Sequence, residues 1–222
     1  VCVGPKILAY SHTFGRPPMP WCDLKNADYI ILWGASPVAT HLHRYHGISA
    51  DIIEARRRGA KLVVIDPRRL PIAAKADTYI QIRPGTDLAM ALAMISHIIK
   101  SGLYDEEFVS AHTLGFDKLT EHVTPYTPRW AERITDVPAS VIAEVATGFA
   151  TTKPASLDRR QGVQHCRNAM QTLRAMAILV AITGNVDVRG GLMLTPYRRL
   201  KSLAVPKDLP QRAKSFWQDR FP

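Results

Sequence analysis

The sequence predicts an α/β fold, with a doubly wound, mostly parallel sheet and helices on both faces, and three observations support this prediction. Short apolar runs alternate along the chain with amphipathic segments of helical period. The first three of these apolar runs end at turns that contain glycine or proline, as buried strands do. Hydrophobic residues make up 46% of the 222 residues and charged residues 22%, which is ordinary for a globular chain with a sizeable core.

The predicted strands are short apolar runs that stop at a turn residue. They cover residues 27–33, 61–65, 77–83 and 155–158. The predicted helices have one apolar face and a start or stop signal such as Asp87 or Gly59. They cover residues 48–58, 88–100, 105–111, 127–133, 139–150 and 168–183, and a loop is expected over 159–167. The order strand, helix, strand, strand, helix is that of a Rossmann-like sheet.

The chain divides into a predicted α/β domain over residues 1–191 and an irregular, basic tail over 192–222. The formal net charge is +10, and residues 198–222 carry seven basic residues against two acidic ones. A basic balance favours phosphate-bearing partners, although the simpler explanation of the tail is a solvated segment covered by the rest of a larger protein. The start at Val1, rather than Met, favours that larger protein. Aromatic residues are not interleaved with the basic ones, so nucleic acid is not expected as a partner.

Two targeting features are missing from the pattern. The longest apolar run, residues 175–182, has eight residues and is too short to span a membrane. Residues 1–10 lack the basic start and apolar stretch of a signal peptide.

The three cysteines, Cys2, Cys22 and Cys166, form no Cys-x-x-Cys pair, so neither a zinc site nor a disulfide framework is indicated.

The loops that follow the predicted strands carry residues suited to a nucleotide. Gly34 lets the backbone approach a phosphate, Asp66 suits ribose hydroxyls, and Asp87 suits the N–H edge of guanine. Taken singly, each carboxylate is better explained as a turn or N-cap residue. Together the three strand ends favour a nucleotide site in one crevice. The sequence has neither a G-x-G-x-x-G nor a P-loop motif, which disfavours ordinary NAD binding and P-loop chemistry.

These residues, in this order, resemble a known superfamily. The matching segments share the patterns W-G-x-x-P, D-P-R, R-P-G-T-D and I-T-G-N, and they lie at 27–37, 59–68, 76–87, 102–109, 147–155 and 171–185. The chain resembles the molybdenum and tungsten enzymes of the dimethyl sulfoxide reductase superfamily, which carry a bis(molybdopterin guanine dinucleotide) cofactor. The branch that contains acetylene hydratase is the most similar in pattern. The resemblance implies a central domain that binds one of the two guanine dinucleotides.

The resemblance also implies which residues bind the cofactor, with Ser36 standing where the family usually has Asn. These residues are Gly34, Ser36, Pro37, Asp66, Pro67, Arg68, Gly85, Asp87, Gly162 and Gln164. Gly162 and Gln164 belong to a loop that reaches toward the pterin. The neighbouring His165 is more simply explained as a structural hydrogen bonder.

Cys2 matches the position of the metal ligand in the cysteine-ligated members, where the ligand precedes a Gly-Pro turn. A thiolate suits a high-valent metal that dithiolenes already hold. The resemblance therefore implies Cys2 as the metal-binding and catalytic residue, and the alternative is an ordinary buried thiol. Formate oxidation is disfavoured, because Val3 replaces the His that follows the ligand and no Arg-Gly-Gln-Asn-Asn run follows Gly191.

The resemblance implies an oxidoreductase subunit that transfers electrons between a small-molecule substrate and an iron–sulfur relay. Its implied partners are the other domains of the same subunit, with a four-iron four-sulfur cluster, and an iron–sulfur electron-transfer subunit. Two alternatives are a non-redox hydratase and a nucleotide- or RNA-binding module without turnover. The compartment stays open between cytoplasm and periplasm.

Overall fold

A computed structural model describes residues 3–15, 20–37 and 47–194 of the chain. Its strands are β1 (Trp21–Cys22), β2 (Tyr29–Trp33), β3 (Lys61–Ile65), β4 (Thr78–Ile80), β5 (Ala155–Arg159) and β6 (Leu192–Met193). Its helices are α1 (Gly4–Phe14), α2 (Ile48–Arg57), α3 (Asp87–Lys100), α4 (Glu106–His112), α5 (Phe116–Val123), α6 (Pro128–Thr135), α7 (Ala139–Thr151), α8 (Gln161–Gln164) and α9 (Ala169–Ile182).

Four strands form a parallel sheet in the order β4-β3-β2-β5. All five residues of β2 are buried, as its apolar sequence predicts for a strand covered on both faces. The last residue of β2, Trp33, lies opposite Ile65 of β3 and Arg159 of β5. The strands β2, β3 and β5 therefore end at the same level, and the loops that follow them meet at one edge.

Apolar side chains form a separate core on each face of the sheet. Alternate residues of β2, such as Ile31 and Trp33, belong to the core shared with α3, α7 and α9. The residues between them, such as Ile30 and Leu32, pack with Ile52 of α2 in the other core. The predicted α/β class, with a parallel sheet and helices on both faces, is confirmed.

A second, two-stranded sheet pairs β1 with β6 in antiparallel register. The Gly190-Gly191 turn before β6 is held on the edge of the main sheet, because the Ser156 hydroxyl of β5 donates to both carbonyl oxygens, at 2.9 and 3.2 Å. The Asp23 carboxylate accepts from the Gly190 N–H at 3.0 Å. The first two residues of the predicted irregular tail are therefore a strand, and residues 195–222 of that tail lie outside the described residues.

Two other expectations are corrected, and two helices are found that the pattern does not predict. The third strand was expected over residues 77–83 but ends at Ile80, because the chain turns toward α6, where the Arg83 N–H bonds the Thr135 carbonyl. The expected loop over 159–167 contains the short helix α8, and Arg159 belongs to β5. Helices α1 and α5 are not expected from the pattern. Among the described helices, none is long and apolar enough to cross a membrane.

Candidate functional site

The carboxyl edge of the parallel sheet brings together the loops in which the sequence predicts a nucleotide site. The Gly34 N–H donates to the Ile65 carbonyl at 2.8 Å, and the Asp66 N–H donates to the Ile80 carbonyl at 3.1 Å. The first residue after each strand thus continues the ladder for one more step. These bonds fix the starts of the loops after β2 and β3 at the same level.

Gly34 and Gly162 are in backbone-to-backbone contact at this edge. The Gly162 N–H donates to the Gly34 carbonyl at 3.1 Å, and Gly34 has a φ of +56°. A Cβ on Gly34 would lie 3.0 Å from the Gly162 Cα, and a Cβ on Gly162 would lie 2.6 Å from the Gly34 Cα. Both positions therefore require glycine for the loops after β2 and β5 to touch.

Asp66 is 5% exposed, and its side chain closes a turn in the loop after β3. Its Oδ1 accepts from the Arg68 N–H at 2.9 Å, the geometry of an Asx turn. The Arg68 guanidinium lies 3.8 Å from the same oxygen, and its side chain is 76% exposed. The turn thus holds a buried carboxylate beside an arginine whose charged end remains accessible.

Asp87, the first residue of α3, is 7% exposed, and its Oδ1 accepts from the Trp33 indole N–H at 2.8 Å. Burial raises the pKa of Asp87 above its ordinary value, and the nearby Asp66 carboxylate raises it further. The two acids predicted for ribose and guanine therefore lie within electrostatic reach of each other at one edge of the sheet.

The other residues predicted to bind the dinucleotide lie in the loops that follow β2, β3 and β4. Ser36 is half-buried, and the buried Pro37 accepts a bond of 3.4 Å from the Ser49 hydroxyl. The Pro67 carbonyl accepts from the Gln81 amide at 3.1 Å. Gly85 is exposed and has a φ of +80°, which the turn before α3 requires.

Gln164, the last residue of α8, is 3% exposed, and its Oε1 has no hydrogen-bond partner within the described part of the chain. A buried acceptor without a donor is costly, so a ligand N–H that reaches it would contribute to binding. His165 is exposed and follows directly, outside the core. The arrangement suits the predicted role of Gln164 better than any role for His165.

A group of side chains between α1 and the end of β5 is not indicated by the sequence pattern. Arg159 is 1% exposed and lies 4.8 Å from the centre of the Tyr10 ring. Burial lowers the pKa of Arg159 to about 9, and burial with the neighbouring Arg159 charge lowers the pKa of Lys6 to about 8. Burial raises the pKa of Cys22 to about 12, so its thiol stays protonated at neutral pH and is unreactive. The available signal was the pair of arginines, Arg159 and Arg160, directly after the predicted strand over 155–158.

Cys2, the predicted metal ligand, lies outside the described residues. Across residues 3–15, 20–37 and 47–194, no group of three or more His, Cys, Asp or Glu side chains could hold a metal ion. Those residues thus form no all-protein metal centre.

Comparison with known proteins gives several matches. The sequence pattern of the family described as molybdopterin oxidoreductase matches residues 6–206. The chain is 38% identical over 168 residues to the alpha subunit of an F420-dependent formate dehydrogenase from Methanocaldococcus jannaschii, with 76% of this chain and 24% of that protein covered. It is 34% identical over 190 residues to a dimethyl sulfoxide reductase from Haemophilus influenzae, with 76% and 23% covered.

The fold is also similar to that of a solved structure, acetylene hydratase from Pelobacter acetylenicus. The TM-score is 0.79 at 33% sequence identity, with 87% of this chain and 26% of that chain covered. The chain thus spans about a quarter of the length of these relatives.

Proposed function

The chain belongs to the molybdopterin oxidoreductase family, and on that basis we propose that it is a cofactor-binding domain of a larger catalytic subunit. In this proposal the carboxyl edge of the sheet holds one guanine dinucleotide half of a bis(molybdopterin guanine dinucleotide) cofactor. The whole subunit transfers electrons between a small-molecule substrate and an iron–sulfur relay. The relay begins at a four-iron four-sulfur cluster in another part of the subunit and continues in a partner subunit.

Two buried hydrogen-bond acceptors carry this proposal. The Asp87 carboxylate accepts from Trp33 at the end of β2, and Gln164 lies in α8, directly after β5. Both side chains are buried, and Gln164 Oε1 lacks a donor among the described residues. Guanine and pterin both present N–H groups along one edge of the ring. Acceptors that are already buried and oriented bind such an edge without a further desolvation cost at the moment of binding.

The remaining residues act on the charged middle of the dinucleotide. Asp66 accepts from ribose hydroxyls, and its bond to the Arg68 N–H holds it in place for that role. The exposed guanidinium of Arg68 forks onto a phosphate. Ser36 and the Gly34 loop add a hydroxyl and backbone N–H groups. The Gly34–Gly162 contact joins this phosphate segment to the pterin segment.

Bound in this way, the cofactor supplies two-electron chemistry at molybdenum or tungsten, which the side chains of the chain cannot supply themselves. Cys2 contributes a thiolate to the metal in our proposal, since it stands two residues before Gly4, where α1 starts. The protein then positions the group and excludes water from it.

A non-redox hydration is the second candidate function, and the similarity to acetylene hydratase favours it. Hydration adds water to a substrate and needs no electron acceptor. The two functions are separated by assaying the full-length protein with and without a redox dye. Turnover that depends on the dye supports electron transfer, and dye-independent hydration of acetylene supports the alternative.

The proposal is tested by the composition of the full-length protein. We expect molybdenum or tungsten, pterin and guanine nucleotide in the purified wild type, and a loss of most guanine nucleotide in Asp87→Ala. The matched control is Asp117→Ala, which removes an exposed carboxylate from the first turn of α5. A wild type that contains neither metal nor pterin would contradict the proposal and favour a binding module without turnover.

A further inference from the structure

Arg159 is buried, and among the described residues only one of its three guanidinium nitrogens, Nη1, has a hydrogen-bond partner. Its Nη1 donates to the Leu157 carbonyl at 2.6 Å and lies 3.9 Å from the Cys22 Sγ. The Tyr10 ring covers its face at 4.8 Å. Its Nε and Nη2 have no hydrogen-bond partner within the described part of the chain. These two nitrogens form one edge of the guanidinium, the edge that binds a carboxylate or phosphate through two parallel bonds.

The charges around Arg159 are not balanced. Lys6 of α1 lies 5.7 Å from the centre of the same Tyr10 ring, so two cations flank one aromatic side chain. The Asp158 carboxylate is 3% exposed and is paired with Arg160 at 2.9 Å, and it is also near enough to raise the pKa of Lys6, so three cations share one carboxylate. Among the described residues, no carboxylate forms an ion pair with Lys6 or Arg159. A buried cation without a counter-charge is costly, and an anion at this point would offset that cost.

The cluster adjoins the proposed cofactor site. Arg159 lies opposite Trp33 in the register of β5 and β2, and Trp33 in turn donates to Asp87. Lys6 stands in the first turn of α1, four residues after Cys2 in the sequence. An anion bound to Nε and Nη2 of Arg159 would therefore lie next to the carboxyl edge of the sheet, on the side where α1 packs.

We propose that the half-buried Lys6 and the buried Arg159 form a site for an anion whose charge is shared between two oxygen atoms. Such a group is either the carboxylate or oxyanion of a small substrate or a phosphate of the cofactor. The inference rests on the proposed function for the identity of its ligand, but the binding of an anion does not depend on it. If the cofactor phosphates do not occupy the site, the inference extends the proposed function, because it then assigns an anionic substrate to the enzyme.

The test uses the full-length protein and three variants, Arg159→Gln, Arg159→Lys and Lys6→Gln. The control is Arg57→Gln, which removes an exposed arginine of α2. Calorimetry measures the binding of formate and inorganic phosphate as anionic probes and of dimethyl sulfoxide as a neutral one. Nucleotide analysis measures the guanine bound to each protein.

A substrate site predicts that Arg159→Gln weakens formate or phosphate binding by about tenfold or more, since it removes two charge-assisted hydrogen bonds. Arg159→Lys and Lys6→Gln weaken it less, while dimethyl sulfoxide binding and guanine content stay at the level of Arg57→Gln. A cofactor site predicts instead that guanine content falls in Arg159→Gln and Lys6→Gln. If Arg159→Gln does not fold, Lys6→Gln decides the question by the same two readouts.

The inference is overturned if the wild type binds neither anionic probe and the guanine content is the same in all variants. It is also overturned if the Lys6 and Arg159 variants bind both probes as tightly as Arg57→Gln and keep their guanine. A wild type without pterin, guanine or metal contradicts the proposed function alone, because calorimetry with the two anions still reports on the Lys6–Arg159 site.

Discussion

Asp87 combines burial, a hydrogen bond from Trp33 and a nearby like charge, and these do not all shift its pKa in the same direction. Burial and Asp66 favour the protonated form, while the Trp33 bond favours the carboxylate. Since the pKa is raised in the folded state above its ordinary value of 3.8, the folded protein binds the proton more tightly than the unfolded chain. The stability that Asp87 contributes is therefore greatest at low pH and is lost as the pH rises.

This sign leads to a prediction for Asp87→Asn. The Asn Oδ1 still accepts from Trp33, and the amide carries no desolvated charge, so the melting temperature of the cofactor-free protein at neutral pH stays equal to that of the cofactor-free wild type or rises. The difference in favour of the variant shrinks as the pH is lowered toward about 4. Guanine retention falls, because an amide offers one acceptor oxygen instead of two. A cofactor-free variant that melts well below the cofactor-free wild type at neutral pH would contradict this account.

Gly162 leads to a second prediction, which concerns stability. A Cβ at this position would meet backbone atoms of Gly34, which cannot move aside as a side chain end can. Gly162→Ala is expected to lower the free energy of unfolding by about 1–3 kcal/mol. The control is Gly4→Ala, where a Cβ meets nothing within 4 Å. Thermal unfolding measures both, and equal melting temperatures would show that the two loops do not depend on this contact.

At the scale of the element, Asp105 joins three parts of the chain. Its Oδ1 caps α4 by accepting from the Phe108 N–H at 2.9 Å, and its Oδ2 accepts from Lys153 at 2.7 Å. A Cβ on Gly184, which has a φ of +66°, would collide with the Asp105 carboxylate. The I-T-G-N segment after α9 thus leaves room for the cap of α4, which gives this glycine a structural reason.

The Lys153 bond and then the Phe108 bond lower the pKa of Asp105 below its ordinary value. The stability contributed by the carboxylate is therefore present at neutral pH and is lost as the pH falls through the lowered pKa. Asp105→Ala is expected to cost about 1 kcal/mol at neutral pH, the typical value of an N-cap. Hydrogen exchange of the α4 amides measures it, with Asp117→Ala as the control. Unchanged exchange in Asp105→Ala would contradict the cap.

At the scale of the whole molecule, the sequence predicted the sheet and most helices because apolar runs and turn residues act locally. Strand β3 matches its predicted range, and β2 lies inside its own. The pattern did not predict α1, or the short strands β1 and β6, because their stability comes from contacts with distant segments such as α9 and the Gly190-Gly191 turn.

The residues of the candidate site were likewise predictable from the sequence only in part. Gly34, Asp66 and Asp87 were predictable because each follows a strand or begins a helix. The burial of Arg159 was not, because it depends on the register that places this residue opposite Trp33 and beneath Tyr10. An Arg-Arg pair at a strand end is equally typical of a solvated loop. Which face an arginine occupies is decided by packing, which the local pattern does not contain.

The central claim is that the carboxyl edge of the sheet holds the guanine dinucleotide of a pterin cofactor. Its most direct test is a structure of the full-length protein purified with its cofactor. The account predicts a guanine base within hydrogen-bond distance of Asp87 and a pterin that donates to Gln164 Oε1. A cofactor bound elsewhere, with Gln164 Oε1 still without a donor and Asp87 bonded only to Trp33, would contradict it.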